Sequence, residues 1–118
     1  MHAKSMSAAL VASLIICSTP AFAAYTQATS DPVYIHSIYQ NEYGSPFVYF
    51  QTTVNPVCGG MYLYNVTLSP PNEELRKNKM AMALSAKLAE KRVVLEYFYD
   101  AGISGWAACY INGITIVD

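Results

Sequence analysis

A double proline, Pro70-Pro71, divides this chain into stretches of different periodicity, because neither a helix nor a central strand runs through such a pair. Three runs rich in β-branched and aromatic residues precede it: Val33–Tyr39 (VYIHSIY), Phe47–Val54 (FVYFQTTV) and Met61–Leu68 (MYLYNVTL). The turn formers of Asn41–Pro46 and Asn55–Gly60 separate them. After the prolines the pattern changes. Asn72 is a good N-cap, Glu73 and Glu74 fall where the helix dipole favours anions, and Leu75–Lys91 contains no Pro or Gly. The spacing predicts a helix over Glu73–Lys91.

On a helical wheel Leu75, Ala81, Met82, Leu84, Ala86, Leu88 and Ala89 form a broad apolar arc. Arg76, Lys79, Lys87 and Lys91 gather with Glu90 on the opposite stripe. This arrangement predicts that Leu84 and Leu88 pack on a sheet and that the basic stripe faces water, a partner or a pore. Val93–Tyr99 (VVLEYFY) then reads as a fourth strand and Trp106–Ile111 (WAACYI) as a fifth. Asn112-Gly113 is a type I′ hairpin signal, followed by Ile114–Val117 as a short sixth strand or a kinked extension of the fifth.

The resulting order, β-β-β-α-β-β, predicts a mainly β fold with one α-helix. A helix between the third and fourth strands is the layout of an OB-like antiparallel, partly open barrel. An α+β sheet with one packed helix gives the same string and stays open as the alternative.

Residues 1–23 have a different character. Lys4, the short apolar run Ala8–Cys17 and the cleavage-like Ala21-Phe22-Ala23 have the layout of a secretory signal peptide. That run is about half the ~20 residues a membrane span requires. The expected mature protein is a single small domain, 24–118, exported to the periplasm or secreted, with a loose polar arm at Ala24–Asp31. Cys17 departs with the signal. Cys58 and Cys109 remain, and an oxidising compartment predicts a disulfide between them. Closing a loop of about 50 residues is worth roughly 4 kcal/mol in the chain-entropy view. Without Lys4, six basic residues face eight acidic ones, a net charge of −2 that offers nucleic acid no attractive field.

The stretch from Met61 to Val117 also carries a resemblance. A strand, the Pro-bounded helix NEELRKNKMAMALSAKLAEK, the strand VVLEYFY and the cysteine-bearing WAACYINGITIV are similar in layout to the OB-fold B subunits of bacterial AB toxins. In that family five subunits form a ring, bind host glycans and line a central pore with their helices. The resemblance implies glycan binding, a homo-oligomer, and a pore-facing role for Arg76, Lys79, Lys87 and Lys91.

Candidate catalytic groups are sparse. His36 is the only histidine after residue 23, and strand alternation puts Ser37 on the opposite face, so the two form no dyad. Glu42, Glu96 and Asp100 have no spacing that pairs them as a glycosidase would require. No enzyme, cofactor or metal site is expected. Tyrosine is the oddity: ten tyrosines, all after residue 23, supply broad contact area with polar tips. Strand alternation groups Tyr62 with Tyr64 and Tyr97 with Tyr99. Tyr43 and Trp106, beside glycine-containing turns, are the candidate ligand-binding rings. The expected function is that of an exported, non-enzymatic binding module for glycan or protein. The alternative is a periplasmic structural or inhibitory protein acting through protein contacts; a small carboxylate hydrolase has least in its favour.

Overall fold

A computed structural model describes residues 25–42, 44–65, 72–103 and 105–118. The signal-like segment 1–23, Tyr43 and residues 66–68 of the third expected strand lie outside them. The described residues form β1 (Thr26–Thr29), β2 (Val33–Tyr39), β3 (Phe47–Phe50), β4 (Met61–Tyr62), α1 (Glu73–Leu88), β5 (Arg92–Tyr99), a 3₁₀ turn (Trp106–Ala108) and β6 (Cys109–Ile116). This is a mainly β, mixed sheet with one helix, bent into a partly closed ring.

The ring runs β2-β3-β4-β6-β5 and returns to β2, because β5 pairs with β6 on one side and with β1 and β2 on the other. The Ala24–Asp31 segment, expected to be a loose arm, instead supplies β1, with Thr26 opposite Tyr99 and Thr29 opposite Glu96. β1 and β2 are two halves of one course along β5, broken at Ser30-Asp31-Pro32. Pro32 has no amide hydrogen to give. Ser30 bridges the break: its N–H donates to the Leu95 carbonyl at 2.8 Å, and its Oγ accepts from the Leu95 N–H at 2.9 Å.

All neighbouring strands are antiparallel except β4 and β6, which run parallel and meet at a single pair, Tyr62 opposite Tyr110. The ring is weakest there. The Cys58–Cys109 disulfide, as expected, spans this region, with Cα atoms 5.8 Å apart. It ties the turn before β4 to the first residue of β6.

Inward alternation builds the core. Val33, Ile35, Val48, Met61, Leu95 and Ile111 are buried together with the disulfide, and so is Tyr97, whose hydroxyl accepts from Asn55 Nδ2 at 3.3 Å. The hairpin signal at Asn112-Gly113 does not make a turn. β6 passes straight through, and its register steps over Asn112 between the pairs Tyr97–Ile111 and Glu96–Gly113. Gly113 leaves room for the exposed Glu96 side chain, whose carboxylate lies 2.8 Å from where a Cβ would sit and would have to swing aside for one.

The helix starts as expected, with Asn72 Oδ1 accepting from the Leu75 N–H at 3.1 Å. It is rotated relative to the wheel. Ala83 and Ala86 are fully buried, whereas Leu84 is 42% exposed and Leu88 83%. Arg76 and Lys79, expected on the solvated or pore-facing stripe, lie on the packed side. Lys79 Nζ donates to the carbonyls of Leu63 (3.2 Å) and Ile111 (3.1 Å), just past the single β4–β6 pair. The physical reason is twofold. Close approach to the ring admits alanine and excludes leucine, and strand carbonyls left by the short parallel pair need a donor that a long lysine supplies.

Candidate functional site

The most organised feature of the outer surface is a run of aromatic rings. Val48, Met61, Cys109, Ile111, Leu95 and Tyr97 point inward, so alternation turns Phe47 and Tyr49 (β3), Tyr62 (β4), Tyr110 (β6) and Phe98 (β5) outward. Tyr49 and Tyr62 pack edge-on against Phe47, with centroids 5.1 and 5.2 Å away. Tyr62 is the register partner of Tyr110, which stacks on Phe98 at 5.1 Å and 24°. Tyr25, just ahead of β1, meets Tyr110 edge-on at 5.3 Å. Six rings thus cross the ring of strands from β3 to β5.

Their exposure is graded. Phe47 is buried beneath its neighbours, and a Cβ on Gly60 would overlap its ring, so glycine is the residue that fits there. The other five are half-buried, each presenting part of a face or edge. The Tyr25 hydroxyl donates to the Ala107 carbonyl at 2.9 Å. Burial raises the pKa of both Tyr25 and Tyr110; Asp100 adds to the rise at Tyr25, and Tyr25 adds to it at Tyr110. Both phenols remain neutral donors at physiological pH.

The candidate residues fall in several places. Trp106 opens the 3₁₀ turn whose Ala107 carbonyl holds Tyr25, so its backbone borders the aromatic run; its side chain and Tyr43 lie outside the described residues. Arg76 sits over the Tyr64 ring, 4.6 Å from the centroid, and 3.4 Å from Glu73; its Nε is buried without a hydrogen-bond partner among the described residues. Burial, aided by Arg76, lowers the pKa of Lys79. Lys87 and Lys91 are exposed at the other end of the helix. The four basic residues therefore split into a packed pair and a solvated pair. Tyr25, Phe98 and Tyr110 escaped the sequence reading because cross-strand register, which brings them together, is not written in any one segment; alternation alone did place Tyr62 opposite in sense to Met61.

His36 differs from expectation. A register step between Ile35 and Ser37 breaks the alternation of β2, and Nδ1 of His36 comes within 3.2 Å of Ser37 Oγ. The pair is exposed, and no acid orients the other imidazole nitrogen among the described residues. Glu96 points outward beside Gly113 and is exposed. No group of three or more His, Cys, Asp or Glu side chains gathers among the described residues, and no helix there is long and apolar enough to cross a membrane. Comparison with known protein families, curated proteins and solved structures finds no match.

Proposed function

We propose that the chain is exported, loses residues 1–23, and acts as a non-enzymatic binding module that takes a glycan or an exposed protein segment on its aromatic face. Two clusters of rings, Tyr49-Phe47-Tyr62 and Tyr25-Tyr110-Phe98, set side by side by the Tyr62–Tyr110 strand pairing, carry this reading. Tyrosine offers a flat apolar face to the C–H side of a pyranose or to an apolar side chain, and its hydroxyl bonds polar neighbours. By fold-level analogy, the second and third strands of OB-like barrels take oligosaccharides and oligonucleotides. Here those strands are β3 and β4, which hold Phe47, Tyr49 and Tyr62. The mature charge of −2 favours the saccharide over the nucleic acid. The outward Glu96 and the unsupported His36–Ser37 pair give a hydrolase little to work with.

A glycan array probed with the exported protein, beside Tyr62→Ala and Tyr110→Ala variants, tests this reading. Expected is a defined set of bound glycans that both variants lose. Binding unchanged in both variants would move the site elsewhere. The second reading, a structural or inhibitory protein working through protein contacts, is favoured by the exposed Leu75, Leu84 and Leu88 of α1. Light scattering bears on the toxin B-subunit-like assembly: a five-membered ring supports it, and a strict monomer removes it.

A further inference from the structure

A cleft of about 350 Å³ opens between the end of α1 and the start of β2, lined by Tyr34, Gln51, Lys87, Glu90 and Lys91. Its volume is at the lower end for ligand clefts, roughly 300–1,000 Å³. Ile35 and Ala86, both almost fully buried, lie beneath its mostly polar lining. It lies where β2 and β5 begin, with Tyr34 opposite Arg92, whereas the stacked rings Phe98 and Tyr110 lie where β5 ends. The cleft and the Phe98–Tyr110 end of the aromatic face therefore lie at opposite ends of β5.

Three observations at this cleft converge. Glu90 holds a left-handed backbone, φ 53°, at the position after the helix cap where glycine is the unstrained residue. Its N–H donates to the Lys87 carbonyl at 3.2 Å and the next N–H, of Lys91, to Ala86 at 2.9 Å, so the turn closes as a Schellman motif without the usual glycine. The side chains of Lys87, Glu90, Lys91 and Gln51 make no ion pair or hydrogen bond among the described residues. Tyr34, 42% exposed, stands beside Gln51, whose N–H donates to the Tyr34 carbonyl at 3.0 Å.

Charges without partners and a left-handed non-glycine backbone at one concavity are what a binding site retains at a cost in stability. Two ammonium groups against one carboxylate leave a single positive charge. A dianion would meet Glu90 and the negative end of the helix dipole. A neutral sugar would leave both lysines unanswered. We infer that the cleft binds a hexuronate, a pyranose carrying one carboxylate: Lys87 and Lys91 take the carboxylate, Glu90 and Gln51 the ring hydroxyls, and Tyr34 the C–H face of the ring.

Titration of the protein with D-glucuronate, D-glucose and inorganic phosphate, followed by backbone amide resonances, tests the inference. Expected are saturable glucuronate shifts on Tyr34, Gln51 and residues 87–91, with glucose and the Lys91→Gln variant each about tenfold weaker. Glu90→Gly supplies the readout that a merely structural role would not move. It is expected to melt about 5 °C higher and to bind glucuronate several-fold more weakly. Equal shifts with glucose, displacement of glucuronate by phosphate, or a Glu90→Gly variant that melts higher and binds unchanged would each overturn the inference.

Discussion

Lys79 Nζ donates to the main-chain carbonyl of Ile111 at 3.1 Å, and the same ammonium holds Leu63 at 3.2 Å. The β4–β6 ladder stops after one residue pair, so these two carbonyls on opposite sides of the gap are joined by a side chain. A cation from the helix replaces part of the ladder.

Lys79→Met keeps the stem and removes the donor. Two part-buried carbonyls then lose their partner, and relief from desolvating an ammonium offsets only part of that loss. The expected change is a destabilisation of about 1–3 kcal/mol in urea unfolding. Amide exchange is expected to quicken at Tyr62 and Tyr110 ahead of the rest of the sheet.

Ser30 acts in the same way at the other irregular seam. Its Oγ accepts the Leu95 N–H where the β1–β2 course breaks. Ser30→Ala leaves that donor unanswered in a part-buried place, at an expected cost of about 1–2 kcal/mol. Ser30→Thr, which retains the hydroxyl, is expected to recover most of it. Paired chemical denaturation curves measure both.

The rotation of α1 is checked by substitutions on its two faces. Leu84→Gln and Leu88→Gln are expected to shift stability by no more than about 0.5 kcal/mol, because both leucines are exposed. Ala86→Leu, at a fully buried contact, is expected to destabilise by about 1–3 kcal/mol or more. The opposite ranking would restore the face drawn from the wheel.

That contrast shows what was legible. Asn72, Glu73 and Glu74 gave the helix start, since capping is local chemistry. Val33–Tyr39 gave β2 with its observed bounds, since β-branched and aromatic residues bounded by turn formers are local too. The buried face of α1 was not legible. Its wheel weighs leucine above alanine, whereas the ring weighs closeness of approach and unpaired carbonyls, which belong to other segments. Of the two readings of Ile114–Val117, the kinked extension of the fifth strand is the one that forms: Asn112-Gly113 makes a register step against β5 in place of a hairpin, and pairing with β5 belongs to another segment. The six-ring face was half legible, because alternation gives the sense of each ring and only the parallel β4–β6 pairing places Tyr62 beside Tyr110.

Alkaline titration probes the outer face. Tyr25 and Tyr110 have pKa values raised in the fold, so the folded protein holds these protons more tightly than the unfolded chain. The stability they contribute is complete below about pH 10 and is lost as pH rises through their raised values. Lys79, with a lowered value, acts in the opposite sense: its contribution grows as pH climbs from that value toward about 10.5. The double variant Tyr25→Phe/Tyr110→Phe is expected to lose less stability than the parent between about pH 9 and pH 11. In Lys79→Met the opposing alkaline gain disappears. Urea midpoints across that range measure both.

The covalent tie between Cys58 and Cys109 governs the rest, because it holds the weakly laddered side of the ring and fits the proposed export to an oxidising compartment. Intact-mass measurement of the native protein after alkylation without reductant tests it directly. Expected is an unmodified mass short of the reduced value by two hydrogens, with both thiols appearing only after reduction and a loss of roughly 4 kcal/mol. Two alkyl adducts on the native, unreduced protein would contradict the Cys58–Cys109 link and, with it, the proposed export.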